Sequence, residues 1–413
     1  MTGVRAAWFG LCLAAHSTPC AASLPDMVSL GPRSSALAGT GAALASDWEA
    51  SYQNPAGLSA SPLKLAVGFV YGGFRLRIGT EPYSPPNPVG VQIGASVPLP
   101  FLGFLKDRIG IGLGLHLPTS VVNRVNVPYP EVPRAVILDS RTEVVSVLVG
   151  IGVRLPAGFQ IGGGVLALAA LVGDIIISPD GTGRITSISE EQLTVDYAPV
   201  VGARWSAKRV RVGATLRMAS RSSYLLRLHT RLGDAIPLGL PVISFAGIAQ
   251  YDPLQVGLEG AFYATEHLAL VAHLAWKNWS AYRYPIEPAT HDSPKLPTPG
   301  FHDTVVPRVA AEYAAKRQGA VRLTVRGGYF FEWSPTPASP NAGNNAGNGT
   351  GTDDSQNLLD ADRHVLCAGV AVRLVGRLPL ELDLFGQVHW LSPSHSLLSG
   401  QLFVGGATLG VPL

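Results

Sequence analysis

Arg209-Val210-Arg211-Val212-Gly213-Ala214-Thr215-Leu216-Arg217-Met218 is the stretch that decides the fold. Apolar side chains fall on every even position from Val210 to Met218, while arginine, glycine and threonine fill the odd ones. Side chains two apart share one face of a β-strand, so this is a strand with an apolar face and a polar or small one. The pattern carries on through Tyr224, Leu226 and Leu228, opposed by Arg221, Arg227, His229 and Arg231. It returns where Val321, Leu323, Val325, Tyr329, Phe331 and Trp333 oppose Arg322, Thr324, Arg326 and Glu332. From Leu380 to Trp390, leucines, Val388 and Trp390 oppose Glu381, Asp383, Gln387 and His389. A soluble sandwich can supply any one such strand. Recurrence along the whole chain is what a lipid-facing barrel requires.

Composition points the same way. Charged residues are only 14% of the chain, against about a quarter in soluble domains, and 47 glycines accompany a mean hydropathy of +0.25. A helical membrane protein needs about twenty apolar residues in a row. Only Ile161 to Ile177 approaches that, and it contains Gly162, Gly163, Gly164, Gly173 and Asp174, a poor helix with a charge in lipid. A closed barrel is the other structure that satisfies every backbone donor and acceptor in lipid. The net charge of +3 comes with no basic stripe interleaved with aromatics, which argues against a nucleic-acid partner. Outer-membrane lipid and a monomeric barrel are the expectation.

Working outward to the N-terminus, Arg5, the apolar run from Ala6 to Ala15 and the small residues Cys20-Ala21-Ala22-Ser23 predict a secretory signal peptide over 1–22. Its removal would leave Cys367 alone, so no disulfide would staple the mature chain. Residues 23–61, rich in Gly, Ala and Ser without alternation, read as a plug, or hatch, and 62–413 as the barrel. The fold class is therefore all-β, a transmembrane antiparallel β-barrel of about fourteen strands with an N-terminal hatch in its lumen. The expected strands are Leu63 to Ile78, Val89 to Val97, Ile109 to Leu117, Thr142 to Leu155, Phe159 to Ile177, Leu193 to Trp205 and Arg209 to Leu228. Val242 to Ala264, Leu268 to Tyr282, Val305 to Tyr313, Ala320 to Trp333, His364 to Leu374, Leu380 to Trp390 and Gln401 to Val411 complete them. Short joins at Ala207-Lys208, Thr265 to His267 and Gly376-Arg377 should be periplasmic, and Ser178 to Glu191, His229 to Pro241 and the long Ser334 to Arg363 stretch extracellular loops. Trp205, Tyr263, Trp276, Trp279, Tyr282, Trp333 and Trp390 should form interfacial girdles.

Several motifs run in a fixed order. The plug carries Gly31-Pro32-Arg33-Ser34-Ser35-Ala36-Leu37-Ala38-Gly39-Thr40-Gly41-Ala42-Ala43, then Asn54-Pro55-Ala56-Gly57. Trp276-Lys277-Asn278-Trp279-Ser280, Phe301-His302-Asp303, Glu332-Trp333-Ser334-Pro335 and Asp360-Ala361-Asp362-Arg363 follow. This series resembles the FadL outer-membrane transport family, in which a small-residue hatch leads to Asn-Pro-Ala before the first strand. The resemblance implies a fourteen-stranded barrel in the bacterial outer membrane that takes up long-chain fatty acids or other hydrophobic small molecules. It also implies a lateral exit near the third strand. FadL-like barrels also serve as secretion or surface-attachment partners, an alternative suited to short extracellular loops.

Three sets of residues are candidates for function. Asn54, Pro55, Ala56 and Gly57 form the hatch motif, where Asn before Pro favours a turn and its amide should bond nearby backbone. Gly110, Gly112 and Gly114, with Pro118 ending the strand, are lateral-gate candidates beside Gly90, Gln92, Gly94 and Ser96, though glycine there equally makes room for the hatch. Counting from the tight turns places Asp196 nearly opposite Arg217 with Glu259 at similar height, and Arg373 opposite Glu381 with Arg322 and Asp383 close by. These should be two mutually neutralising lumenal clusters, with a fatty-acid carboxylate on Arg217 or Arg322 the functional alternative. His-Glu-x-x-His, Gly-x-Ser-x-Gly and phosphate-loop motifs are absent, so no metal, cofactor or enzymatic activity is expected. Lumenal His273 and His389 leave a barrel phospholipase with a Ser-His pair as a minor alternative.

Overall fold

Period-two alternation closes into a ring. A computed structural model describes residues 24–413, apart from 102, 104–105, 120–134, 136, 139–143, 180–184, 231–241, 284–285, 288–298, 318, 338–357, 377–378, 394–395 and 413. The expected leader lies outside them. Fourteen antiparallel strands form a barrel closed by β1 (Lys64–Ile78) against β14 (Leu398–Pro412). Between them run β2 (Val89–Pro98), β3 (Ile109–Pro118), β4 (Ser146–Arg154), β5 (Phe159–Pro179) and β6 (Ile185–Ser206). Next come β7 in two pieces (Val210–Arg217, Ser220–Thr230) and β8 in two pieces (Ile243–Asp252, Gln255–Tyr263). β9 (Leu268–Lys277), β10 (Thr304–Ala314), β11 (Val321–Glu332), β12 (Asp362–Leu374) and β13 (Leu380–Ser392) complete the wall. Among the described residues no helix is long and apolar enough to cross a membrane.

Leu65, Val67 and Phe69 on β1, Leu258 on β8, Leu274 on β9 and Leu409 on β14 are all about half exposed on the outside. Full closure leaves no strand edge to pair with another chain across that apolar belt. Trp205, Trp276, Trp333 and Trp390 are exposed there too. Trp279 and Tyr282, expected in the same girdles, are instead buried with Tyr251 and Phe301 in an aromatic cluster at the long-loop rim. The 3-10 turn Trp279–Ala281 folds them inward.

Two strands depart from the expected course. β7 breaks at Met218-Ala219: Arg217 and Ser220 both point inward, three residues apart. One extra residue in a strand reverses every later side chain. Tyr224, expected outside, is therefore buried inside. β8 breaks at Pro253, which has no N–H for the ladder. Beyond these breaks the second piece of β7 leaves β6 and pairs in parallel with β5 from Leu171 to Ile177. The stretch expected as a short loop from Ser178 to Glu191 is strand at both ends, since β5 reaches Pro179 and β6 begins at Ile185. β2, β3 and β4, at 9 or 10 residues, are the shortest adjacent run of wall.

Candidate functional site: the plugged lumen

The N-terminal segment occupies the lumen. Helices α1 (Leu24–Val28), α2 (Pro32–Ala36) and α3 (Ala50–Gln53), with the 3-10 turn Pro55–Ala60, are buried almost throughout. The 3-10 turn touches β2 to β6, and α2 touches β11 to β14 on the far side. The plug therefore spans the bore.

Its path is set by glycines where the chain turns and polar side chains where it meets the wall. Gly31 has φ of 84°, and a Cβ there would come within 2.5 Å of the Glu49 side chain. Pro32 follows at the first turn of α2, where its missing N–H costs nothing. Glu49, itself buried, accepts from Arg33 N at 3.0 Å and Ser34 N at 2.8 Å, tying α2 to α3. Burial and the nearby Asp47 carboxylate raise the Glu49 carboxyl to about 7.

The small-residue stretch has a specific task. Consecutive N–H groups of Gly41, Ala42 and Ala43 converge on the Glu259 carboxylate at 2.8, 3.0 and 2.8 Å. His273 Nδ1 lies 2.9 Å from the same carboxylate. Such a nest of backbone donors needs close approach, which bulky side chains would prevent.

Asn54 is fully buried and uses both ends of its amide. Nδ2 donates to Ala42 O at 2.7 Å and Ala203 O at 3.0 Å, while Oδ1 accepts from Ala56 N at 3.1 Å, capping the turn that begins at Pro55. The motif thus links two parts of the plug and one wall strand. A Cβ on Gly202 would collide with Asn54, and Cβ atoms on Gly152 and Gly162 would collide with the Pro55-Ala56 backbone.

Gly110, Gly112 and Gly114 face this plug. A Cβ on Gly112 would lie 2.5 Å from both Leu58 Cδ2 and Ser51 Oγ, and one on Gly114 would lie 2.7 Å from Leu30 Cδ2. Pro118 stands opposite Gly90 at the long-loop end of β3. Room for the plug is what these glycines provide in this state.

The lumenal charges are grouped differently from the sequence expectation. Arg217 stands opposite Val200, not Asp196, because the ladder that starts at Ser206 opposite Arg211 runs unbroken to that pair and leaves Asp196 four residues further along β6. Its guanidinium donates to Tyr52 O at 2.8 Å, Tyr52 OH at 3.0 Å and Gln255 Oε1 at 3.2 Å, and its carbon lies 3.8 Å from the Tyr52 ring centroid. Asp196 instead bonds Ser223 and faces Arg221 at 3.7 Å. Glu259 is the nest described above. Arg373 does stand opposite Glu381 in register, yet it and its other neighbour Arg322 are exposed, and Glu381 turns to Lys64 at 3.1 Å. Asp383 pairs with Arg326.

Plug residues are the missing members of these clusters. Arg33 grips Glu312 through two bonds of 2.8 and 2.7 Å, and Arg326 joins the same carboxylate at 2.8 Å. Asp47 bonds Lys64 at 3.0 Å. Asp26 of α1 meets Lys277 at 2.9 Å, and Lys277 reaches Glu332 at 2.7 Å, which in turn binds Arg363. Gln255 also donates to Asp26. Three of the sequence motifs meet in that one network, and Ser334 N bonds Asp362 at 2.8 Å beside it. Inward parity of Lys277, Glu332 and Arg363 was a usable signal; Asp26, the plug partner of Lys277, left none.

A polar cavity of about 30 Å³ lies between α1, Tyr52, Gln53 and the wall at Arg217, Gln255, His273 and Arg308. That is space for a water or two, not for an organic molecule.

Neither a protein-family model nor a curated protein matches the sequence. By fold the chain is similar to solved channels. A Pseudomonas aeruginosa FadL homologue aligns at TM-score 0.58 and 14% identity, over 92% of this chain and 97% of that one. The monoaromatic hydrocarbon channel CymD gives 0.56 and 15%, over 93% and 97%. The Ralstonia pickettii toluene transporter TbuX gives 0.55 and 14%, over 93% and 98%. The chain thus has the fold of FadL-type channels over at least 92% of its length.

Proposed function

We propose that this barrel is a bacterial outer-membrane channel for passive uptake of hydrophobic small molecules, with its short-turn rim in the periplasm. The observation that carries this reading is a plug that spans the lumen inside a wall whose outer face is apolar and whose fold is that of hydrocarbon and toluene channels. A bore filled in this way passes nothing straight through, so cargo leaves either past a displaced plug or sideways through the wall.

The sideways exit is assigned near β3. Support comes from the short wall of β2 to β4 and its glycine-lined inner face at Gly110, Gly112 and Gly114. Just above them His116 is fully buried with neither ring nitrogen bonded among the described residues. A buried polar group without partners costs about 1 to 3 kcal/mol, which marks this as a wall segment readily rearranged. Long-chain fatty acids or compounds of similar polarity are the cargo, and no cofactor takes part.

Liposomes bearing the purified barrel should accumulate a labelled long-chain fatty acid or toluene faster than empty ones. Uptake no faster than the lipid background would refute the channel and favour a secretion or surface-attachment role.

A further inference from the structure

The short-turn rim carries an excess of positive charge, of which the plug engages Arg154 alone among the four arginines below, through a bond from its guanidinium to Ser59 O at 3.2 Å. Arg154, Arg211, Arg322 and Arg373 lie at the short-turn ends of β4, β7, β11 and β12, with side chains on the lumenal faces of their strands. None has a carboxylate within 4 Å among the described residues. The nearby acids are already engaged: Glu381 by Lys64, and Glu312 and Asp383 by Arg326. Arg322 and Arg373 are direct cross-strand partners. Like charges so placed repel, so the pair is held at a cost that a bound anion would remove. Lys208, Arg209, Lys316 and Arg317 in the adjoining turns are exposed and extend the same sign, against only Glu266 and Asp107.

Placement around the ring narrows the occupant. Arg211 on β7 and Arg322 on β11 are four strands apart, about 20 Å along the wall at ordinary strand spacing. No small anion bridges that span. Phospholipid headgroups surround the barrel from outside, whereas these arginines line its mouth. We propose that the periplasmic mouth is a docking surface for an acidic protein, one that covers the opening and meets arginines on both sides of it. This rests on the orientation in the channel reading above. Opposite charges over such an area steer association and make it depend strongly on salt.

The test uses the full barrel in nanodiscs of zwitterionic lipid, with fluorescent polyglutamate of about 20 residues as the acidic probe. Binding should weaken at least tenfold between low and moderately high salt, and at least tenfold in the variant Arg211→Gln/Arg322→Gln/Arg373→Gln. Heat-modifiable gel mobility checks that the variant is assembled, and Arg322→Gln alone should show a partial loss. Equal binding by wild type and assembled variant, or none by wild type, overturns the proposal. Free glutamate at matched carboxylate concentration should not compete; if it does, the site is one for small anions. Polyglutamate displaced wholly by phosphatidylglycerol in the nanodisc would assign the arginines to lipid and also refute docking. On cells, the probe should bind only after the outer membrane is permeabilised, and binding to intact cells overturns the orientation and the proposal with it. Probe binding that behaves as expected in a barrel unable to take up hydrophobic cargo supports docking and sinks only the channel.

Discussion

Lys277→Met should release α1 from the lumen wall. Lys277 is fully buried, with Asp26 at 2.9 Å and Glu332 at 2.7 Å. Glu332 keeps Arg363 after the change, whereas Asp26 loses the buried ammonium that faces it. Stranding one member of a buried pair costs about 3 to 5 kcal/mol. Burial of Leu24, Met27 and Val28 stabilises α1 by about 6 kcal/mol, while ordering its five residues costs about 5 to 10. The helix is thus held by a narrow margin, and the lysine decides it. Hydrogen exchange over residues 24–29 should quicken by about two to nearly four powers of ten, at 1.36 kcal/mol per tenfold. Adding Asp26→Asn to Lys277→Met should restore most of the protection, because the carboxylate that lost its cation is then neutral. Unchanged exchange in an assembled barrel would refute the reasoning, as would a loss shared equally by β9 and β11, which would make the lysine a wall residue alone.

Asn54→Ala removes three buried hydrogen bonds, about 3 kcal/mol of plug stability, and should raise leak currents in planar bilayers. Unaltered conductance with the plug still protected from exchange would count against it. Gly112→Leu should push Leu58 and Ser51 away and loosen the plug in a barrel that still assembles; normal plug protection would show that the wall, not the plug, gives way. Because the folded Glu49 carboxyl lies near 7 rather than 4.5, its protonated form fits better, and its contribution is complete below pH 4.5 and lost as pH rises through 7. The melting temperature should therefore fall from pH 5 to 8 more in wild type than in Glu49→Gln, and equal slopes would dismiss the idea. Arg217→Gln should destabilise by about 2 to 3 kcal/mol through its bonds to Tyr52, while exposed Arg322→Gln stays within about 0.5, neither altering selectivity between a fatty acid and its uncharged ester. Selective loss of fatty-acid transport with stability kept would make Arg217 a substrate ligand.

What the sequence determined by itself was the alternation and the class of solvent around it. Val210, Val212 and Leu216 against Arg211 and Arg217 announce an outward and an inward face because a strand repeats every two residues, a purely local property. Scarce charge and the lack of a spanning helix then leave a closed barrel as the solution, and short joins mark one rim. Tertiary structure decided the rest. The extra residue at Met218-Ala219 reverses the face of Tyr224, while the ladder that starts at Ser206 opposite Arg211 sets Arg217 against Val200, four residues from Asp196. Asn54 was legible as a turn former, yet that it reaches Ala203, 149 residues away, depends on how the plug lies in the bore. Asp26 with Lys277, 251 residues apart, and Arg33 with Glu312, 279 apart, had no signature in spacing at all. Charges buried in a lumen must find partners wherever the chain brings them. Contact across a closed ring is set by the circumference and the path of the plug, neither of which is a local property of the chain.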